Sequence, residues 1–186
     1  VRFVAVVVAG GAGRRMSGVD KPAIEVGGRS LLARAVDAVA AAETVVVVGP
    51  QRPLATQVTW TREDPPGTGP VAALVAGLAA TGPADEVAVL AADLPRVSAR
   101  TVDRLRAALA GDPAAAGALL VDEGGRHQWL LGVWRYDRLA AALPADPANQ
   151  ALGRTLRALP VVTVPAEGRE ADDVDTPADL SALEND

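Results

Sequence analysis

Four fully apolar runs punctuate the chain: Val4–Val8, Val45–Val48, Val87–Leu90 and Gly117–Val121. Runs this short, unbroken by polar residues and bounded by turn formers, predict strands buried on both faces, as in parallel sheets. Between them the apolar positions recur at helical spacing. Leu31, Leu32, Ala35, Val36 and Val39 predict a helix from about Leu31 to Ala41, with Ser30 as its N-cap. A second helix is expected from Pro70, a residue suited to a first helical turn, to about Ala80. A third is expected over Ala99–Ala110, capped by Ser98, with Val102, Leu105 and Leu109 on one face. The remaining signals are weaker. They are a short apolar stretch at Ala23–Val26, a strand at Val58–Thr61, and a hairpin-like turn at Asp122–Arg126 leading into a strand at His127–Arg135. Short helices over Leu139–Leu143 and from Asn149 to about Leu159, a strand at Pro160–Val164 and a helix from Thr176-Pro177 complete the pattern. Trp129 and Trp134 differ by an odd number of positions, which predicts opposite faces of one strand and a packing role for both. Strand, helix, strand in this order is a right-handed crossover unit.

Composition narrows the picture. The 186 residues fit one domain, residues 1–186, and 49% hydrophobic content is ample for a core. A net charge of −5 argues against nucleic acid as a partner. The absence of cysteine excludes disulfides, thiolate metal sites and cysteine nucleophiles, and agrees with a cytoplasmic location. The first apolar run stops at Gly10, far short of the ~20 residues of a membrane span, and no basic region precedes it. The expectation is a soluble, unprocessed chain with no membrane partner.

The chemistry concentrates where that first strand ends. Ala9-Gly10-Gly11-Ala12-Gly13 is followed by Arg14 and Arg15, a turn through Ser17-Gly18, and Asp20-Lys21-Pro22. Three glycines in four positions let the backbone bend tightly and approach a ligand closely. Its amides form an anion-binding nest, and the cations that follow add full positive charge, so a polyphosphate is the simplest ligand. A plain surface loop is the alternative. The stretch is no P-loop, because no Gly-Lys-Ser or Gly-Lys-Thr closes it. Nor is it a dinucleotide fingerprint, since Met16 stands where the third glycine should pack and the second strand ends in Gly49-Pro50 without a carboxylate.

The string from Ala9 to Lys21 resembles the signature loop of the molybdenum cofactor guanylyltransferases, within the nucleotidyltransferases of the sugar-nucleotide type. The resemblance implies a Rossmann-like three-layer α/β sandwich, its central sheet mostly parallel, with a small hairpin insertion facing the acceptor. It implies transfer of GMP from Mg·GTP to the phosphate of molybdopterin, with release of pyrophosphate, and partner proteins that deliver or receive the cofactor. It also implies roles for residues. Ala9, Gly10, Gly11, Gly13 and Arg14 would hold the nucleotide phosphates, with Arg15, Lys21 and Asp93 catalytic, Lys21 at the α-phosphate. Asp93, at the end of the Val87–Leu90 strand in Asp93-Leu94-Pro95, matches the family's metal-binding aspartate and would hold Mg2+. The ending Asp173-Val174-Asp175-Thr176-Pro177 carries Asp at both positions where the family has Asn, so either carboxylate could complete that metal site.

For the nucleobase, Gly69-Pro70 stands in register with the family's helix opening, and Asp64 matches an acidic position upstream. A carboxylate accepts from both N1–H and the 2-amino group of guanine. Gly49 stands where relatives often carry Asn, and Val71-Ala72-Ala73 replaces Leu-Ala-Gly. His127, Gln128 and Arg154 are the acceptor-side candidates. Two alternatives stay open: a cytidylyltransferase or other small-molecule nucleotidyltransferase of the same fold, and a non-catalytic nucleotide-binding protein.

Overall fold

A computed structural model describes residues 1–10, 18–174 and 176–184. Nine strands and six α-helices are found among them. They are β1 (Phe3–Val8), β2 (Glu25–Val26), β3 (Arg29–Ser30), α1 (Leu31–Ala38), β4 (Thr44–Val48), β5 (Thr59–Thr61), α2 (Pro70–Thr81) and β6 (Glu86–Ala91). The chain continues through α3 (Ala99–Gly111), β7 (Gly117–Val121), β8 (His127–Arg135), α4 (Tyr136–Ala142), α5 (Leu152–Leu156), β9 (Val161–Pro165) and α6 (Pro177–Glu184). Seven strands form one sheet in the order β5-β4-β1-β6-β8-β7-β9, and β2 and β3 pair separately. β8 alone runs against its neighbours; every other pairing in the large sheet is parallel.

The all-apolar runs occupy the middle of this sheet because helices cover both of its faces. Along β1, Ala5 and Val7 pack with Leu32, Val36, Val102 and Leu105 of α1 and α3. Val4 and Val6 pack with Val71, Leu74 and Leu78 of α2 and with Leu139, Leu152 and Leu156 of α4 and α5. The expected strands and helices are present, several with shifted ends. Ser30 caps α1 by accepting from the Ala33 amide at 3.1 Å, but the helix closes at Ala38. The segment expected to be helical from Asn149 to Leu159 forms only the five-residue α5, which starts after Asn149 at a positive φ of 57° and an extended Ala151, and closes at Leu156.

The tryptophans correct the strand-parity expectation. Trp134 is fully buried among the α2, α4 and α5 side chains, and half-buried Trp129 packs against the same cluster. The β7–β8 register shifts between Leu119↔Gly132 and Val121↔His127, so β8 carries extra residues that turn Trp129 to the same side as Trp134. Packing remains the role of both. No helix among the described residues is long and apolar enough to cross a membrane.

Candidate functional site

Strand order locates the crevice. From β1 the chain moves outward to β4 and β5, then returns to β6 on the other flank of β1. At such a reversal the loops leaving the carboxyl ends of adjacent strands diverge and open a ligand site. Those loops here begin at Ala9-Gly10, at Gly49-Pro50 and at Ala92-Asp93. Backbone bonds hold the three strand ends level: Ala9 N–H donates to Val48 O at 2.8 Å and Ala92 N–H to Val8 O at 3.0 Å. Gly49 has φ +148°, and a Cβ there would lie 2.8 Å from the carbonyl carbon and oxygen of Ala9. Its lack of a side chain therefore lets the glycine loop leave β1. Gly11, Gly13, Arg14 and Arg15 lie outside the described residues, as does Asp175.

Lys21 opens a single turn of 3-10 helix, Lys21–Ala23, that follows Asp20. Asp20 has no capping bond to that turn; its carboxylate instead faces Arg52 on the loop after β4. Arg52 Nε donates to Asp20 Oδ2 at 2.8 Å and Nη2 to Oδ1 at 2.6 Å, while Nη1 donates to Pro50 O at 3.0 Å. These bonds from the guanidinium hold the Asp20 carboxyl below its ordinary pKa.

On the other flank, half-buried Asp93 follows β6. Its carbonyl accepts from Val174 N–H at 3.1 Å, which sets the Asp172-Asp173 segment beside it. Upstream, buried Glu170 anchors this returning chain on α3. Its carboxylate accepts from Thr101 Oγ1 at 2.8 Å, Arg104 Nη1 at 2.5 Å and the Glu167 amide at 2.9 Å. Asp93 and Asp173 therefore lie on adjoining segments, and a carboxylate is the hard oxygen donor that magnesium takes, one or two from the protein and the rest from phosphates and water.

The base-side loop holds a residue that sequence reasoning passed over. Asp64 is exposed and precedes a cis peptide bond to Pro65. Its neighbour Glu63 is 8% exposed and is the carboxylate brought to the glycine loop, with Oε1 3.9 Å from where a Cβ on Gly10 would lie. Glu63 Oε1 accepts from Gly67 N–H at 2.8 Å, and Oε2 is buried with no hydrogen-bond partner among the described residues. A buried carboxylate oxygen left unpaired is costly unless a ligand donor meets it. The available sequence signal was strand parity: Glu63 is two residues beyond Thr61 of β5. Gly69, at φ +100°, caps α2. Thr68 O accepts from Asn149 N–H at 2.6 Å, joining this loop to the segment that leads into α5.

The acceptor-side candidates divide. Because β8 runs antiparallel to β6 with Leu90 opposite Leu131, His127 and Gln128 lie beyond the carboxyl end of β6, the edge that carries Asp93. His127 stands edge-on to Trp129 at 5.4 Å, and Gln128 Nε2 donates to Asp122 Oδ2 at 3.1 Å across the turn. Arg154 is exposed on α5, on the opposite face of the sheet from α1 and α3.

A family model described as the MobA-like NTP transferase domain matches residues 5–163. The chain belongs to that family. By family it is a nucleotidyltransferase. It is 36% identical over 138 residues to a molybdenum cofactor guanylyltransferase of Bradyrhizobium, a match covering 69% of this chain and 64% of that relative. It is 32% identical over 158 residues to the molybdenum cofactor guanylyltransferase of Cereibacter sphaeroides, covering 80% of this chain and 79% of the relative. The fold is shared with molybdopterin-guanine dinucleotide biosynthesis protein A of Archaeoglobus fulgidus. The TM-score there is 0.71 at 22% identity, covering 98% of this chain and 97% of that one.

Proposed function

We propose that the chain transfers GMP from magnesium-bound GTP to the phosphate of molybdopterin, in the cytoplasm, yielding the guanine dinucleotide cofactor and pyrophosphate. The observation that carries this reading is the convergence of three parts at one sheet edge. The glycine loop leaves β1 there, Asp20-Lys21 is tied to the loop after β4, and Asp93 lies beside the Asp172–Val174 segment after β6. Loop amides with Arg14 and Arg15 hold the β- and γ-phosphates. Lys21 meets the α-phosphate and offsets the charge that grows on it in the transition state. Asp93, with Asp173 or Asp175, would hold magnesium, whose charge would lower the repulsion between the nucleotide and an anionic nucleophile. An acceptor phosphate oxygen attacks the α-phosphorus in line, the bond to the bridging oxygen of the β-phosphate breaks, and pyrophosphate leaves. The nucleophile is already ionised at neutral pH, so no general base is needed, and positioning dominates the barrier.

For the base we assign Glu63 in place of Asp64, on the strength of its burial, its place against Gly10 and its Oε2, which has no partner among the described residues. His127, Gln128 and Arg154 remain the acceptor-side assignments. The test is calorimetric titration of GTP, CTP and ATP with magnesium on wild type, Glu63→Gln and Asp64→Ala, joined to pyrophosphate release with molybdopterin. GTP is expected to bind selectively. Glu63→Gln should weaken it by about tenfold or more, as for a lost charged hydrogen bond, and Asp64→Ala should leave it unchanged. Lys21→Ala and Asp93→Ala should each cut turnover by about 10²–10³-fold. A preference for CTP would move the chain to cytidylyl transfer, and no nucleotide binding at all would overturn the reading.

A further inference from the structure

We propose that Arg52 is a positioning residue for Lys21, locking the end of the glycine-rich loop to the rim of the crevice through Asp20. The inference rests on the reading that Lys21 meets the α-phosphate.

Asp20 occupies the N-cap position of the Lys21–Ala23 turn, where an aspartate usually accepts from the second or third amide of the helix. Here Pro22 has no amide to offer, and the carboxylate makes no cap bond at all. It is committed to Arg52, 32 residues away in sequence, through two near-parallel bonds of 2.8 and 2.6 Å. Exposed ion pairs as a class contribute little, because two long side chains must be ordered in water. This pair differs in geometry and in setting. The planar guanidinium engages both carboxylate oxygens, which fixes orientation as well as distance. The Arg52 side chain is only 10% exposed, against 52% for Asp20, and its third contact, to Pro50 O, fastens it to the loop that follows β4.

The backbone shows what the clamp controls. Asp20 O accepts from Ala23 N–H and Lys21 O accepts from Ile24 N–H, each at 3.0 Å, so the turn is closed by its own backbone bonds. Its far end is fixed by Leu31 N–H donating to Ile24 O at 2.9 Å. At its near end, Arg52 joins the residue directly before Lys21 to the carboxyl end of β4. That strand end lies beside the exit of the glycine loop, where Ala9 N–H meets Val48 O. The clamp therefore sets Lys21 relative to the loop from outside the loop. An aspartate at position 20 is thus a positional requirement, and Arg52 extends the nucleotide machinery to a loop outside the glycine motif.

The test compares Arg52→Ala, Arg52→Lys, Asp20→Asn and the Arg52→Ala/Asp20→Asn double variant with wild type. Misplacing a transition-state contact lowers kcat more than it raises KM. Arg52→Ala is expected to lose about tenfold or more in kcat, with KM for GTP changed less than threefold and Tm within a few degrees of wild type. Arg52→Lys, which keeps the charge but not the fork, should fall between. The double variant should be no slower than the worse single one, since both act through one link. Multiplying losses, or an unchanged kcat in Arg52→Ala, would overturn the proposal. Hydrogen exchange without nucleotide provides the second arm. Amides of Ala23 and Ile24 should exchange faster in Arg52→Ala while those of β1 and β4 stay protected, and unchanged exchange at Ala23 and Ile24 would overturn the clamp. Should wild type transfer no nucleotide, the functional reading fails and the exchange arm still decides the clamp.

Discussion

Gly49 shows how one missing side chain can shape the crevice. Its φ of +148° disfavours any L side chain, and a Cβ would press to 2.8 Å on the Ala9 carbonyl and 3.0 Å on the Gly10 nitrogen. Gly67 separates these two costs, because it has φ +82° with nothing within 4 Å of where a Cβ would lie. Gly67→Ala should therefore cost only the backbone strain, roughly 1 kcal/mol. Gly49→Ala should cost more, roughly 2–3 kcal/mol, by adding overpacking, and should weaken GTP binding about tenfold by displacing the loop exit. Urea unfolding and calorimetry on both variants check this, and equal effects at the two positions would refute it. From the sequence, Gly49 reads only as a departure from the family; its reason is a contact with residues forty positions earlier. Glu63 was hidden for a similar reason. In Arg62-Glu63-Asp64 strand parity is its only local signal, and its burial against Gly10 is a contact between segments more than fifty positions apart.

At the scale of elements, what was legible followed from local pattern. Fully apolar runs in β1, β4 and β6 signalled strands covered on both faces, and Ser98 was readable as the cap of α3, where it forms a capping box with Thr101. What was not legible depended on pairing. Nothing in His127–Arg135 says that β8 enters the sheet between β6 and β7, or that its register shift returns Trp129 to the face of Trp134. Helix-on-sheet approach is similarly non-local. Gly77 sits in α2 where a Cβ would fall 2.4 Å from Val6 Cγ1 and 3.1 Å from Val48 Cγ2. Alanine is the better helix former by about 1 kcal/mol, yet overpacking a β-branched, rotamer-locked neighbour costs about 1–3 kcal/mol. Packing should win, so Gly77→Ala is expected to destabilise by roughly 1–2 kcal/mol despite its propensity. A gain in the denaturation midpoint would show that α2 can lift away from β1 freely. The Val6→Ala/Gly77→Ala pair should lose less than the sum of its singles, because the two changes share one contact.

Across the whole molecule, the two flanks of the crevice are held by different means. The β4 flank relies on the Arg52–Asp20 pair, and the β6 flank on Glu170, which fastens the returning chain to α3 before it reaches Asp93. Burial alone would raise the Glu170 pKa, but the Glu167 amide, Arg104 and Thr101 outweigh it and the net shift is downward from 4.5. The unfolded chain therefore binds this proton first as pH falls, so stability drops toward acid. The Glu170 contribution is complete above about pH 4.5 and is lost as pH falls through the lower folded-state value. Glu170→Gln removes the charge while keeping a similar shape. At pH 7 it should cost about 1–3 kcal/mol, read as a lower urea midpoint at unchanged slope. As pH falls below about 4.5 and through the lower folded-state pKa, its curve should converge on that of wild type, because the wild-type carboxylate is then protonated too. A difference that stays constant as pH falls from 7 into the acid range would mean that the network acts through packing, with its charge irrelevant. Convergence would assign the stabilisation to the Glu170 charge itself, which ties the chain returning toward Asp93 to α3 through Thr101 and Arg104.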